Sequence, residues 1–414
     1  VNLFHYKEGA LFCEETSVRK LADDVGTPFY LYSRNTILRH FHRLDESLAG
    51  IDHIICYALK ANSSLAICKL LCDAGSGAEI VSGGELQRAL RVGFSPSRIV
   101  FNGNGKTADE LRLAIKSDVL MINVDSKSEL NLLDRIAGEL SRKARVALRV
   151  NPDIDPRTHP YISTGLKENK FGIAIERAVE YYQEARELSN IEVVGVHKHI
   201  GSQIVQLSPF VESLQKMMSL VDELKRLGFA LRYLDMGGGI GITYDNEQPP
   251  SFEEYVGAVR PMIEASGLTL IVEPGRVLVG NAGILVTKVL HVKSAGNKTF
   301  VVVDAAMNDL VRPSVYKAYH KIIPVEERPE RGRIVADVVG GICESTDFFA
   351  RSRELPEVRS GELIAILSAG AYGSSMSSNY NSRPLIPEIM VNGTDARVIR
   401  RRQTFEEMIA LESF

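Results

Sequence analysis

The sequence has no apolar run near the ~18 residues that a membrane-spanning helix needs, which excludes a span. It also lacks an excess of charge of one sign: 49 Lys and Arg stand against 52 Asp and Glu, a net charge of −3. A chain so close to neutral offers no electrostatic footprint for nucleic acid or an anionic bilayer, and neither is expected as a partner. Cysteine is scarce and odd in number: Cys13, Cys56, Cys68, Cys72 and Cys343. Cys68 and Cys72 stand four apart in a helical pattern and read as buried thiols, not as a metal clip or a disulfide. Free thiols without metal spacing point to the cytoplasm, and no metal is expected. The first twenty residues lack the basic start and apolar core of a secretory signal.

What is present is an ordinary globular balance, 45% hydrophobic and 24% charged. The 414 residues suggest two domains or one large one. From about residue 50 short apolar or β-branched runs alternate with helix-like stretches. The runs are Ile54–Tyr57, Ala78–Val81, Arg98–Phe101, Val119–Val124, Arg145–Val150, Glu192–Val196, Leu231–Met236 and Thr269–Val272. Helical periodicity follows each of the first seven, from Ser64–Asp73 to Phe252–Ala265. Such alternation means parallel βαβ units, and eight of them over ~250 residues is the size of a closed (β/α)8 TIM barrel. After Asn281 the strand-like runs Ile284–Val292, Thr299–Val303, Ile334–Val339 and Glu362–Leu367 follow one another without long helices. The expected organisation is therefore a barrel over residues 36–280 and a mainly-β domain from 281–414 with 1–35. Leu11–Phe12 and Phe29–Tyr32 look extended and could add a strand to it. The charged run Glu326–Arg333 reads as a solvated loop.

Active sites of such barrels lie at the C-terminal ends of the strands. Lys60 follows the first strand, where a solvated loop lysine is the plain alternative to a Schiff-base former with a lowered pKa. The sixth strand runs into His197-Lys198-His199-Ile200-Gly201-Ser202-Gln203, and the seventh into Asp235-Met236-Gly237-Gly238-Gly239. The eighth ends in Glu273-Pro274-Gly275-Arg276. Consecutive glycines let a backbone approach an anion closely, and the loops after strands seven and eight often hold phosphate. A tight turn would also explain them. Gly237–Gly239, Gly275, Arg276 and the Ser202 hydroxyl are the candidate phosphate donors. A phosphate site beside a lysine suits either a Schiff-base aldolase or a pyridoxal phosphate enzyme. For the latter, Glu273 can pair with the ring nitrogen and His199 can lie on the ring face, although a structural histidine is an equal reading there.

Taken together, Tyr57-Ala58-Leu59-Lys60-Ala61-Asn62, Ser82-Gly83-Gly84-Glu85, Asn151-Pro152, Ser163-Thr164-Gly165 and Lys170-Phe171-Gly172 begin a recognisable series. It continues through His199–Gln203, the glycine run, Glu273–Arg276, Cys343-Glu344-Ser345 and Gly370-Ala371-Tyr372-Gly373. In this order, over almost the whole chain, they resemble the fold-type III pyridoxal phosphate decarboxylases with the alanine racemase-like barrel. Within that family the resemblance is to the branch acting on meso-2,6-diaminopimelate, which yields L-lysine and CO2 as the last step of lysine biosynthesis. The resemblance implies a homodimer with shared active sites and pyridoxal 5'-phosphate on Lys60. It implies His199 on the ring, Glu273 at its nitrogen, and Ser202, Gly237, Gly238, Gly239, Gly275, Arg276 and Tyr372 around the phosphate. Cys343, from the second subunit, is the implied proton donor. Arg276, Arg312, Tyr316 and Tyr372 would bind the substrate's distal carboxylate, and Glu344 its ammonium; a guanidinium forks a carboxylate and a carboxylate holds an ammonium. Decarboxylation of ornithine, arginine or a carboxyspermidine-like substrate is the alternative within enzymes. A non-catalytic regulatory relative is the alternative outside them. Two departures stand out: Lys198, which strand alternation turns away from His199, and Thr346 beside the cysteine and glutamate.

Overall fold

The structure, a computed structural model, describes residues 3–156 and 170–413. Its chain forms two compact units: Phe41–Ile242 with Gln248–Gly275, and Val1–His40 with Thr243–Glu247 and Arg276–Phe414.

The first unit is the barrel. Its eight strands are His53–Ala58, Gly77–Ile80, Ile99–Phe101, Met121–Val124, Ala144–Asn151, Ile191–His197, Tyr233–Asp235 and Thr269–Val272. Each pairs in parallel with the next, and the eighth returns to the first with Ile271 opposite Ile54, so the sheet closes. The strands are short and almost wholly buried, as expected when both faces are covered. Cys56, Val100, Met121, Ala147, Val194 and Ile271 pack into one apolar cluster. The helices begin where local chemistry starts them. Thr107 with Glu110, and Ser251 with Glu254, form capping boxes that satisfy otherwise orphaned N–H groups. Gly93 and Gly267 close helices in the left-handed conformation.

The second unit is mainly β. The long strand Gly283–Ala295 is paired along one side with Lys298–Val303 and, nearer its start, with Phe29–Ser33 and Leu363–Ile366. Phe29–Ser33 is buried at every position because it lies between Gly283–Ala295 and Glu388–Asn392. The N-terminal segment thus contributes a central strand. Leu11–Phe12 goes elsewhere, into a three-stranded sheet with Phe4–Lys7 and Thr16–Ser17. Phe348–Pro356, Glu388–Asn392 and Asp395–Arg400 are further strands that the apolar pattern does not mark. Asp395–Arg400 has no fully buried residue and Phe348–Pro356 has three charged ones, so their sequences carry little periodicity. All five cysteines are free thiols; Cys72 is half-buried and Cys343 exposed, the others buried. No helix is long and apolar enough to cross a membrane among the described residues.

Candidate active site

In the barrel, Lys60 sits in the single turn Leu59–Ala61 that follows the first strand. Its Nζ lies 2.6 and 2.7 Å from the two carboxylate oxygens of Glu79, a fully buried residue of the second strand. Burial pushes the Glu79 carboxyl up, and the Lys60 ammonium opposes that. The Asn102 amide after the third strand joins two carboxylates. It donates to Glu79 Oε1 at 2.9 Å and to Glu273 Oε1 at 2.6 Å. Asn123, on the fourth strand, donates to Asn102 Oδ1 at 2.6 Å and to Asp235 Oδ2 at 3.1 Å. One buried polar chain therefore runs from Lys60 to Asp235.

Asp235, Glu273 and His197 bring ligand atoms within 4.8 Å of one another. Burial and the neighbouring Glu273 push Asp235 well above the usual carboxylate range. Burial also opposes charge on Glu273, yet His197, whose Nε2 lies 3.8 Å away, and the Lys60 ammonium hold its carboxyl below that range. Two carboxylates so close together resist joint ionisation, and the opposed shifts favour the proton on Asp235 and the charge on Glu273. Neither ring nitrogen of His197 has a hydrogen-bond partner among the described residues. His199 Nδ1 accepts from the Gly238 N–H at 3.2 Å, which places the proton of the neutral ring on Nε2. Burial and the Arg149 guanidinium keep that imidazole neutral.

The glycine run packs too closely for any side chain. A Cβ on Gly238 would lie 2.2 Å from the Glu273 carbonyl oxygen, and one on Gly239 2.6 Å from that of Gly201. Gly237 and Gly239 also have positive φ, +66° and +117°. Two of the three amides are already used: Gly237 donates to Asp235 Oδ1 at 2.9 Å and Gly238 to His199. Gly239 is the member of the run whose amide is uncommitted among the described residues. Gly275 is less tightly confined, its Cβ position lying 3.0 Å from the Ala61 Cβ. Lys198 points away from His199 and into the helix Ser208–Arg226, where Nζ donates to Ser213 Oγ at 2.9 Å. Fully buried, its pKa falls to about 7 through desolvation.

The mainly-β unit gathers a second group. Arg276 donates to the Tyr244 hydroxyl at 2.6 Å and stacks 4.7 Å from the Tyr372 ring. The Arg312 guanidinium carbon lies 4.6 Å from the Tyr244 ring centre, and its Nη1 is 2.9 Å from His320 Nε2. Both arginines are 5% exposed. Arg312 makes no ion pair with a carboxylate among the described residues; desolvation and the Arg276 charge lower its pKa. Tyr316 ends the short helix that Arg312 begins. Cys343 and Glu344 are exposed; Tyr380 donates to Glu344 Oε1 and Thr346 to Oε2 at 3.0 Å. The Thr346 hydroxyl thus restrains Glu344. The Ser314 hydroxyl ties the Thr346 carbonyl to the Arg312 helix at 2.6 Å.

Of the sequence candidates, Lys60 and Glu273 are joined by Glu79 and Asn102, His199 meets Gly238, Arg276 and Arg312 share Tyr244, and Tyr372 stacks on Arg276. Ser163-Thr164-Gly165 lies outside the described residues. Glu79, Asn123, Tyr244 and His320 were not among the candidates. A charged residue inside the apolar second strand is the signal for Glu79; Tyr244 and His320 lie in loops and carry none.

The barrel residues suit pyridoxal phosphate: an amine, an ionised carboxylate held by Asn102, a neutral imidazole and a closely packed glycine loop. Residues 34–280 match the family model described as pyridoxal-dependent decarboxylase, pyridoxal binding domain. The chain is 49% identical over 405 residues to a diaminopimelate decarboxylase of Aquifex aeolicus, covering 98% of this chain and 96% of that protein. It is 47% identical over 413 residues to that of Pseudomonas aeruginosa, covering 100% and 99%. The crystal structure of the Helicobacter pylori diaminopimelate decarboxylase complexed with L-lysine superposes with a TM-score of 0.92 at 46% identity, over 95% and 98% of the two chains. With its barrel, its lysine and its acid-paired network, the chain belongs to the pyridoxal-dependent decarboxylases, among the diaminopimelate decarboxylases.

Proposed function

We propose that the chain decarboxylates meso-2,6-diaminopimelate to L-lysine and CO2 with pyridoxal 5'-phosphate, completing lysine biosynthesis. The observation that carries the substrate is Arg312, a buried guanidinium whose orienting partner is a neutral histidine and not an acid. A buried cation without a counter-charge is costly, and a ligand carboxylate held in its fork offsets that cost. Ornithine and arginine, once decarboxylated at their single α-centre, have no such carboxylate.

When bound, pyridoxal phosphate supplies an electron sink for the pair left behind as CO2 departs. The chain's own residues supply the rest. Glu79 sits at hydrogen-bond distance from the Lys60 amine and can hold or return its proton. Glu273, oriented by the Asn102 amide, would hold a protonated ring nitrogen. His199 offers a flat, uncharged face. Gly239, Gly275, Ser202 and Arg276 would hold the phosphate, with Tyr372 beside Arg276. Arg312 and Tyr316 would take the distal carboxylate and Glu344 the distal ammonium. Cys343 would return a proton to the α-carbon. Their exposure on this chain supports a homodimer in which Cys343 and Glu344 serve the partner's site. The free thiols fit a cytoplasmic enzyme. The test is CO2 release from meso-diaminopimelate, ornithine and arginine in parallel. Preference for either of the latter would overturn the substrate assignment.

A further inference from the structure

The Arg312 guanidinium is held by two neighbours, and one of them has only one protonation state open to it. His320 is fully buried. Its Nδ1 lies 2.8 Å from the Leu367 carbonyl oxygen, which can only accept, so Nδ1 carries the hydrogen. Its Nε2 lies 2.9 Å from Arg312 Nη1, which can only donate, so Nε2 presents its lone pair. The two contacts demand the same neutral tautomer. A second proton would set an N–H against the guanidinium N–H.

We propose that His320 is the positioning residue that fixes Arg312 for the substrate's distal carboxylate, an inference that rests on the reading of Arg312 above. The imidazole takes one N–H of the guanidinium and fixes its rotation. The Tyr244 ring, 4.6 Å from the guanidinium carbon, fixes its plane. His320 in turn meets Tyr244 edge-on, with centroids 5.3 Å apart at 79°. Tyr244 also separates two like charges, since its hydroxyl engages Arg276 while its face carries Arg312. An aspartate or glutamate at the place of His320 would orient Arg312 equally well but would neutralise it. A neutral acceptor orients the fork and leaves its whole charge for a substrate carboxylate. Desolvation, then the Arg312, Arg276 and Arg353 guanidiniums, push the His320 pKa down to about 3. Arg353 approaches from a neighbouring strand, donating to the His320 carbonyl at 3.1 Å.

His320→Asn and His320→Gln separate the two contacts. An asparagine amide reaches the place of Nδ1 and keeps the Leu367 contact. A glutamine amide reaches the place of Nε2 and keeps an acceptor for Arg312. His320→Asn should raise KM for meso-diaminopimelate about tenfold, the worth of a hydrogen bond to a charged group, with kcat within about twofold. L-Lysine, which retains the distal centre, should bind about tenfold more weakly to the same holoenzyme. His320→Gln should stay within about threefold of the parent on both measures. Equal effects of the two substitutions, or a silent His320→Asn, would overturn the proposal. A silent Arg312→Ala would instead remove the reading of Arg312, so the two failures are distinguishable. The unmutated holoenzyme gives a check independent of any variant. Its L-lysine affinity should show no transition near the ordinary histidine pKa of ~6.5, and a loss of affinity on acidification through that pH counts against a permanently neutral His320.

Discussion

Arg312 is the residue on which the proposed substrate assignment rests. Removing it as Arg312→Ala should raise KM for meso-diaminopimelate by about tenfold to a hundredfold, the range for a charged hydrogen-bonding group, and leave kcat less affected. An unchanged kcat/KM would take away the carboxylate argument. Lys198 makes a different prediction, one about stability. Its ammonium must lose both water and charge to reach Ser213, and its pKa falls from 10.5 to about 7. Between those values the unfolded chain binds a proton that the folded chain does not, so stability rises with pH across that window. Below about pH 7 both states are protonated and the full penalty applies, on the order of 5 kcal/mol. Lys198→Met should therefore stabilise the protein most at and below about pH 7, and stability from chemical denaturation should rise less steeply between pH 7 and 10. Both residues were visible in the sequence, but only Arg312 as a candidate. The strand alternation around His197 and His199 correctly turned Lys198 outward, and it carried no hint that the outward face would be sealed by Phe210 and Ser213.

At the scale of elements, the strand-to-loop junctions carry the candidate site residues of the barrel. The glycine run after the seventh strand reads at first as three amides offered to an anion. The fold assigns two of them internally, to Asp235 and His199, and needs the missing side chains to bring the loop against Gly201 and Glu273. Tight turn and anion site are thus not rival readings. Gly239→Ala should strain the backbone at φ +117° and push the loop off Gly201. A cost of ~1–3 kcal/mol in loop placement should appear as cofactor affinity weakened by about tenfold or more, read by titrating the apoprotein with pyridoxal phosphate. Unchanged affinity would mean that Gly239 does not face the phosphate. The β-rich elements were read less completely. Gly283–Ala295 and Lys298–Val303 are marked by apolar runs, whereas Phe348–Pro356 and Asp395–Arg400 are not. Strands with charged, exposed positions are defined by the backbone partner beside them more than by their own pattern.

At the scale of the whole molecule, the proposed sharing of sites between two copies makes a quantitative prediction. Lys60→Ala should abolish the yellow absorbance of the bound cofactor, and Cys343→Ala should retain it. If each site draws Lys60 from one copy and Cys343 from the other, mixing the two inactive variants forms hybrid dimers with one intact site in two. Random exchange makes about half of the dimers hybrid, so about a quarter of parental activity should return. No recovery after exchange would place both residues in one chain's site or remove Cys343 from the chemistry.

The eight-unit alternation, the lysine at the first strand end, the glycine run and the acid after the eighth strand are local patterns, and the sequence by itself determined them. Short-range periodicity and residue chemistry suffice for that, because a buried parallel strand and its following helix each write their own signature. The tertiary structure alone decided which buried acid is pushed up and which down, which glycine amide stays free, and which side chains touch Arg312. Glu79 meets Lys60 across 19 positions, Asn102 meets Glu273 across 171, and Tyr244 reaches Arg276 across 32. Hydrogen bonds of that kind are set by where barrel closure and sheet pairing deliver the backbone, and no window of neighbouring residues encodes them.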